Sequence, residues 1–205
     1  VYYTINRSDG KIERTTEYCV RIKILTQEGT SYGDIEIPYY DHVNVQEVVR
    51  AISASSYSLN DGKVVGTSLK KQYVFREQVA ERRKMVKFSI PEVKPGSVVE
   101  YKYQIISDLT NRIPDINIQR PIPVAYSKVR VAIPEYFRFN FRTMGYVKIN
   151  VNRTRESKSQ DMGEGYEPFY YSEDIYTCDA RDVPELKSEP RFGCMEDCRT
   201  KIIVE

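Results

Sequence analysis

His42 is the only histidine in the chain, and this limits the chemistry the sequence can run. Hydrolysis and group transfer near neutral pH need a base that titrates there, and imidazole is the usual one. His42 lies in Tyr39-Tyr40-Asp41-His42, which reads as a surface turn. A Cys-His dyad would have to join it to Cys19, Cys178, Cys194 or Cys198, none of which stands in a nucleophile-elbow or helix-start context. Asp174 and Glu196-Asp197 could be drawn as a general acid and base. Nothing in the sequence fixes their separation, so exposed surface charge is the simpler account. Lys94-Pro95-Gly96-Ser97 is a turn and Gly163-Glu164-Gly165 lies in a polar stretch, so neither is a phosphate loop at a strand-to-helix junction. No catalytic residue and no cofactor is assigned.

The binding candidates are weaker still. Tyr39, Tyr40, Tyr170 and Tyr171 come in adjacent pairs and could stack on sugar rings, as in a glycan-binding sandwich. Adjacent strand positions point to opposite faces, however, so one of each pair must turn inward. Core and rim packing is the better account, since the chain has no tryptophan to extend such a platform. Cys19, within an alternating segment, is expected to be a buried free thiol. Cys178, Cys194 and Cys198 lie closer together, and one disulfide among them is open if the compartment is oxidising. A three-thiolate metal site is the sharper alternative, but no histidine lies near, and no metal is assigned.

The elements that must position these residues are strands. Val20, Ile22 and Ile24 alternate with Arg21 and Lys23, and after Gln27-Glu28-Gly29-Thr30 the alternation resumes at Ile35 and Ile37; the pair reads as a hairpin closed by Pro38. Val86, Phe88 and Ile90 alternate up to Pro91, and Val99, Tyr101, Tyr103 and Ile105 do so after Lys94-Pro95-Gly96. Val129, Val131 and Ile133, then Phe137, Phe139 and Phe141, then Val147, Ile149 and Val151 continue the pattern. Val45, Val48, Val49 and Ile52 stand at helical spacing, but the serine-rich run after them favours a strand over 47–59 that turns back at Asp61-Gly62. Phe75–Lys84 is polar enough for a loop or one helical turn, and Arg153–Pro168 reads as a long solvent loop. Residues 180–205 read as an extended strap or linker that leaves a β-sandwich spanning 1–179.

Composition agrees with an all-β, mostly antiparallel sandwich. Seventeen tyrosines favour sheet, and a net charge of +2 with interspersed signs leaves no field to attract nucleic acid. No apolar run reaches the ~18 residues of a membrane span. The chain opens without Met in strand-like sequence and ends inside an apolar run, as a piece of a longer protein would. Asn6 and Asn152 head Asn-x-Ser/Thr tripeptides, which matter only in a glycosylating host.

Several blocks, taken in order, carry a family resemblance: Ile22-Lys23-Ile24-Leu25 with Glu28-Gly29, Asp61-Gly62-Lys63, and Val86-Lys87-Phe88-Ser89-Ile90-Pro91. Lys94-Pro95-Gly96-Ser97-Val98-Val99-Glu100-Tyr101 and Pro121-Ile122-Pro123-Val124 complete the set. Together they resemble the bacterial domain-of-unknown-function family that precedes a transglutaminase-like (papain-like) domain in exported proteins. The resemblance implies a β-rich module without established activity, with any Cys-His-Asp machinery beyond Glu205. It also implies a missing strand or two before Val1, and a periplasmic or cell-surface destination. The expected partners are that downstream domain and a cell-wall polymer or protein. Far-ultraviolet circular dichroism of the chain should show a β spectrum, and a predominantly helical one would exclude the sandwich.

Overall fold

The computed structural model describes residues 1–6, 9–42, 45–161, 163, 165, 167–186 and 199–205. In chain order its strands begin β1 (Tyr2–Ile5), β2 (Ile12–Lys23), β3 (Asp34–His42), β4 (Val45–Asn60), β5 (Lys63–Ser68), β6 (Phe75–Ala80) and β7 (Arg83–Ser89). They continue β8 (Val98–Ser107), β9 (Ile116–Asn117), β10 (Val124–Pro134), β11 (Phe141–Met144), β12 (Asn150–Gln160), β13 (Phe169–Val183) and β14 (Lys201–Val204). Helical structure among the described residues is confined to two 3-10 turns, Glu28–Gly33 and Lys71–Tyr73. The all-β, antiparallel, sandwich-like reading holds. The chain divides into two compact units, Val1–Ile12 with Thr110–Glu205, and Glu13–Leu109. That division falls elsewhere than the 179/180 boundary expected from the sequence.

In the unit Glu13–Leu109 the sheet order is β2-β8-β4-β3-β7-β6, with β5 on β4. Alternation fixes which face is buried: Ile35, Ile37 and Tyr39 of β3, Val86 and Phe88 of β7, and Val99 of β8 share one core with Val49 and Ala54 of β4. Tyr101, Tyr103 and Ile105 pack on that core half-buried, so the expected inward face of β8 is the observed one. Gly96, at φ 88°, closes the turn before β8, and the Ser97 amide donates to Lys94 O at 3.0 Å.

Three local expectations fail for definite reasons. β2 pairs with β8 rather than with β3, because the 3-10 turn Glu28–Gly33 redirects the chain and Ile24 is bonded to Gly96 and Ser97 instead. Cys19 is exposed, since it shares the outer face of β2 with Arg21 and Lys23. Phe75–Lys84 belongs to a β6–β7 hairpin, across which Lys87 meets Glu77 at 2.6 Å while also reaching Glu36 of β3 at 3.2 Å. The helical spacing at Val45–Ile52 has a simple cause. Ala51 adopts φ 51° and the β4–β8 register shifts between Arg50 and Ser53, so Val49 and Ile52 both face inward across a β-bulge. Asp61 and Gly62, at φ 48° and 75°, form the expected β4–β5 turn.

The other unit stacks the sheet β10-β13-β12 on the sheet β11-β14-β9. Val131 and Ile133 of β10, Cys178 and Ala180 of β13, and Ile202 and Val204 of β14 fill the space between them. Val129 and Phe139 join this core half-buried, and Phe137 and Phe139 keep alternation in irregular backbone ahead of β11. Arg153–Gln160, expected in a loop, is strand, because its polar side chains belong to an exposed edge. Lys201–Val204, expected in a strap, is β14, the middle strand of its sheet. Lys187–Cys198 lies outside the described residues.

Gly145 shows how tightly this unit closes. It sits at φ 100°, and a Cβ there would lie 2.8 Å from Thr200 Cβ and nearer still to its Cα. Gly145→Ala should therefore cost more than about 2 kcal/mol in urea denaturation. Gly96→Ala, with open space around its Cβ and φ 88°, should cost only about 1 kcal/mol.

Candidate functional site

A groove of about 550 Å³ opens in the unit containing β10–β14. Register builds its charged wall. β12 pairs with β13 so that Arg153 lies opposite Tyr176 and Arg155 opposite Asp174, and β10 places Ile133 opposite Asp174 on the far side. Cross-strand partners share a face, so these side chains meet above one sheet surface. Arg153 donates to Asp174 at 2.8 Å and stands over the Tyr176 ring, 5.5 Å from its centroid. This carboxylate pairing, with the hydrogen bond as its main part, pushes the Arg153 guanidinium above its usual range. Arg155 donates to Glu135 at 2.8 Å, and Glu135 is fixed in turn by the Ser172 amide at 3.1 Å.

The aromatic wall comes from Phe137 and Phe139. Tyr176 stacks on Phe141 with centroids 4.4 Å apart. Phe137 also contacts Tyr3 and Tyr136, at 4.6 Å and 5.1 Å, and Tyr136 leads on to Tyr171 and Phe169. Burial, with the nearby Tyr171 and Glu173, pushes the Tyr136 hydroxyl up to about 12. Tyr171 is raised as well, by burial first and then by Glu173.

The tyrosines singled out from sequence do not form this site. Tyr39 is buried in the Glu13–Leu109 unit. Tyr40 is exposed under the Arg83 guanidinium, whose carbon lies 5.5 Å from the ring centroid. Tyr170 is exposed and Tyr171 half-buried, both in the other unit, and none of the four lines the groove. The inward-outward split of each pair follows from strand alternation. Sequence inspection had no means of finding the arginine groove. Its arginines and carboxylates are about 20 residues apart along the chain, and the β12–β13 register and the turn after β10 join them.

Among the described residues the reactive groups are dispersed. His42 is half-buried at the β3–β4 corner, paired with Val45. Cys19 lies opposite Lys102, and Lys102 opposite Ser53. Counting along β4 from Val45 to Ser53 separates His42 and Cys19 by roughly 25 Å at about 3.3 Å per residue. Cys178 is a free thiol in the other unit, where burial first and Asp179 second push it up to about 11. Cys194, Cys198, Glu196 and Asp197 lie outside the described residues. Among the described residues no three of His, Cys, Asp and Glu gather in a metal-binding cluster, and no helix is long and apolar enough to cross a membrane.

Comparison with known proteins gives a family. Residues 9–185 match the model of the family described as a domain of unknown function with a solved structure, DUF3857. The chain belongs to that family. No curated protein matches the chain. The DUF3857 fold recurs in a crystal structure described as a "putative protease" from Parabacteroides distasonis, with a TM-score of 0.66 and 16% sequence identity. The likeness covers 96% of this chain and 37% of that one, so the chain spans little more than a third of that protein's length.

The raised thiol and phenol give a pH dependence. Both groups hold their protons more tightly folded than unfolded, so their contribution is complete below about pH 9, the free-thiol value. As pH rises from there through about 11 for Cys178 and about 12 for Tyr136, that contribution is lost. Urea denaturation between pH 8 and 12 should show this fall, and Cys178→Ala should flatten its lower part. At pH 8 a thiol reagent should label Cys19 fast and Cys178 only after unfolding.

Proposed function

We propose that this DUF3857 chain is a non-catalytic accessory module of an exported bacterial protein, N-terminal to a transglutaminase-like or cysteine-peptidase-like domain. The observation that carries this reading is the dispersal of the reactive groups among the described residues. The one histidine is roughly 25 Å from Cys19 along its own sheet, and Cys178 is a buried, protonated thiol in the other unit. A nucleophile and its base must come within hydrogen-bond reach to act. The span of 37% of a longer chain described as a putative protease supports the reading, because it leaves room for a catalytic domain elsewhere in such a protein. The module's work is then to position that domain, or to hold a protein or cell-wall polymer near it, on the periplasmic or outer cell surface.

Two measurements test this. Peptide hydrolysis and transamidation should be found with the full-length parent and not with the 205-residue chain, and His42→Ala should leave the parent's rate unchanged. Crosslinking mass spectrometry of the parent should join this chain to the catalytic domain. Activity in the chain alone that His42→Ala abolishes would overturn the proposal.

A further inference from the structure

β12 forms one side of its sheet, and among the described residues only β13 pairs with it. Its register with β13 runs unbroken from Asn150 to Gln160, with no proline and no bulge to turn the edge away. The opposite edge of the same sheet is occupied: the Val1 backbone nitrogen donates to Arg130 O at 2.6 Å and the Ala132 amide to Val1 O at 2.9 Å. An antiparallel edge presents every second amide and carbonyl outward, ready to receive another strand.

Proteins often guard such an edge with charged side chains that sweep across it. Arg153 and Arg155 are drawn the other way, inward over the sheet face, by Asp174 and Glu135. Among the described residues no strand covers this edge, and two oriented guanidinium groups stand two residues apart on one face beside it. Each guanidinium has five donors, and the pairing seen here engages a single nitrogen of each. Arg138, which also lines the groove, is exposed. Of the charged groups lining the groove, Arg138, Arg153 and Arg155 outnumber Glu135 and Asp174 by one. The site is therefore complementary to negative charge.

We propose that the outer edge of β12 is a strand-addition site for an extended peptide with acidic side chains at alternate positions. A strand added there would set its side chains about 4.5–5.5 Å from their neighbours on β12. Alternate carboxylates would then reach Arg153 and Arg155 on the groove face, with Arg138 as a third partner. Backbone bonds along the edge would supply affinity, and the arginines would select for acidic residues. The inference names a partner for the interaction module proposed above, yet its test needs only the chain itself.

The probe is a fluorescein-labelled peptide of alternating glutamate and valine, titrated against the 205-residue chain by fluorescence anisotropy. Saturable binding is expected that weakens as salt is raised and is lost when lysine replaces glutamate. Methylating alternate backbone nitrogens should abolish binding while the charges stay, which separates strand addition from general attraction to anions. Arg138→Glu should weaken binding about tenfold, with an unchanged thermal transition showing that the fold is intact. Tight binding of the methylated peptide, or polygalacturonate displacing the peptide as well as unlabelled peptide does, would overturn the proposal. So would a concentration-dependent dimer in sedimentation that excludes the peptide, since a second copy would then be the occupant.

Discussion

One buried amide ties the covering sheet of the β10–β14 unit together. Gln119 is fully buried, and its side-chain nitrogen donates to the Tyr146 hydroxyl at 2.6 Å and to Pro184 O at 3.2 Å. Its side-chain oxygen accepts from the Thr200 amide at 3.3 Å, and its own amide donates to Thr200 O at 3.1 Å. Segments near 119, 146, 184 and 200 thus meet at one side chain. A buried amide left unpaired costs about 1–3 kcal/mol, so each segment is held by the penalty on its neighbours' polar groups as well as by contact. Gly145 lets the chain approach Thr200 at that point, where any side chain would collide. With the junction closed, Ile202 and Val204 cover the face of β10 and β13, and Phe137 to Phe141 are brought to the rim that becomes the groove.

Period-2 alternation made much of the strand content legible, because one buried face imposes it residue by residue. The inward faces of β3, β7, β8 and β10, the Gly96 turn and the Asp61-Gly62 turn were readable for that reason. What failed was pairing. Nothing in the segment Ile12–Lys23 announces that its partner is Val98–Ser107, or that a 3-10 turn carries the chain away from the nearer strand. The bulge at Ala51 shifts the phase of β4 by one residue, which puts its apolar residues at helical spacing although the segment reads as the strand it is. An exposed edge strand such as β12 has no buried face to alternate, so its sequence looks like a loop.

The candidate site was hidden for the same reason. Tyrosine pairs stand out in a sequence, but alternation sends half of them inward, and Tyr39 packs in a core. The groove depends on Arg153 and Arg155 meeting Asp174 and Glu135, residues that are neighbours only through the β12–β13 register and the turn after β10. No local motif encodes that meeting.

Energy separates what these charges do from what holds the fold. Exposed ion pairs of this kind contribute about 0–1 kcal/mol each, so two of them add little to stability. Their effect is geometric: each removes rotamer freedom from an arginine, and does so before any ligand arrives. A pre-oriented guanidinium gives up less entropy on binding than a free one, which favours recognition. The same arrangement works against catalysis. A general base must be able to take a proton near neutral pH, and the groove offers carboxylates already engaged by arginine, while the thiol of Cys178 lies sealed in the core and holds its proton to about pH 11. On the proposal of an acidic peptide at β12, the oriented guanidinium groups would hold its carboxylates in place.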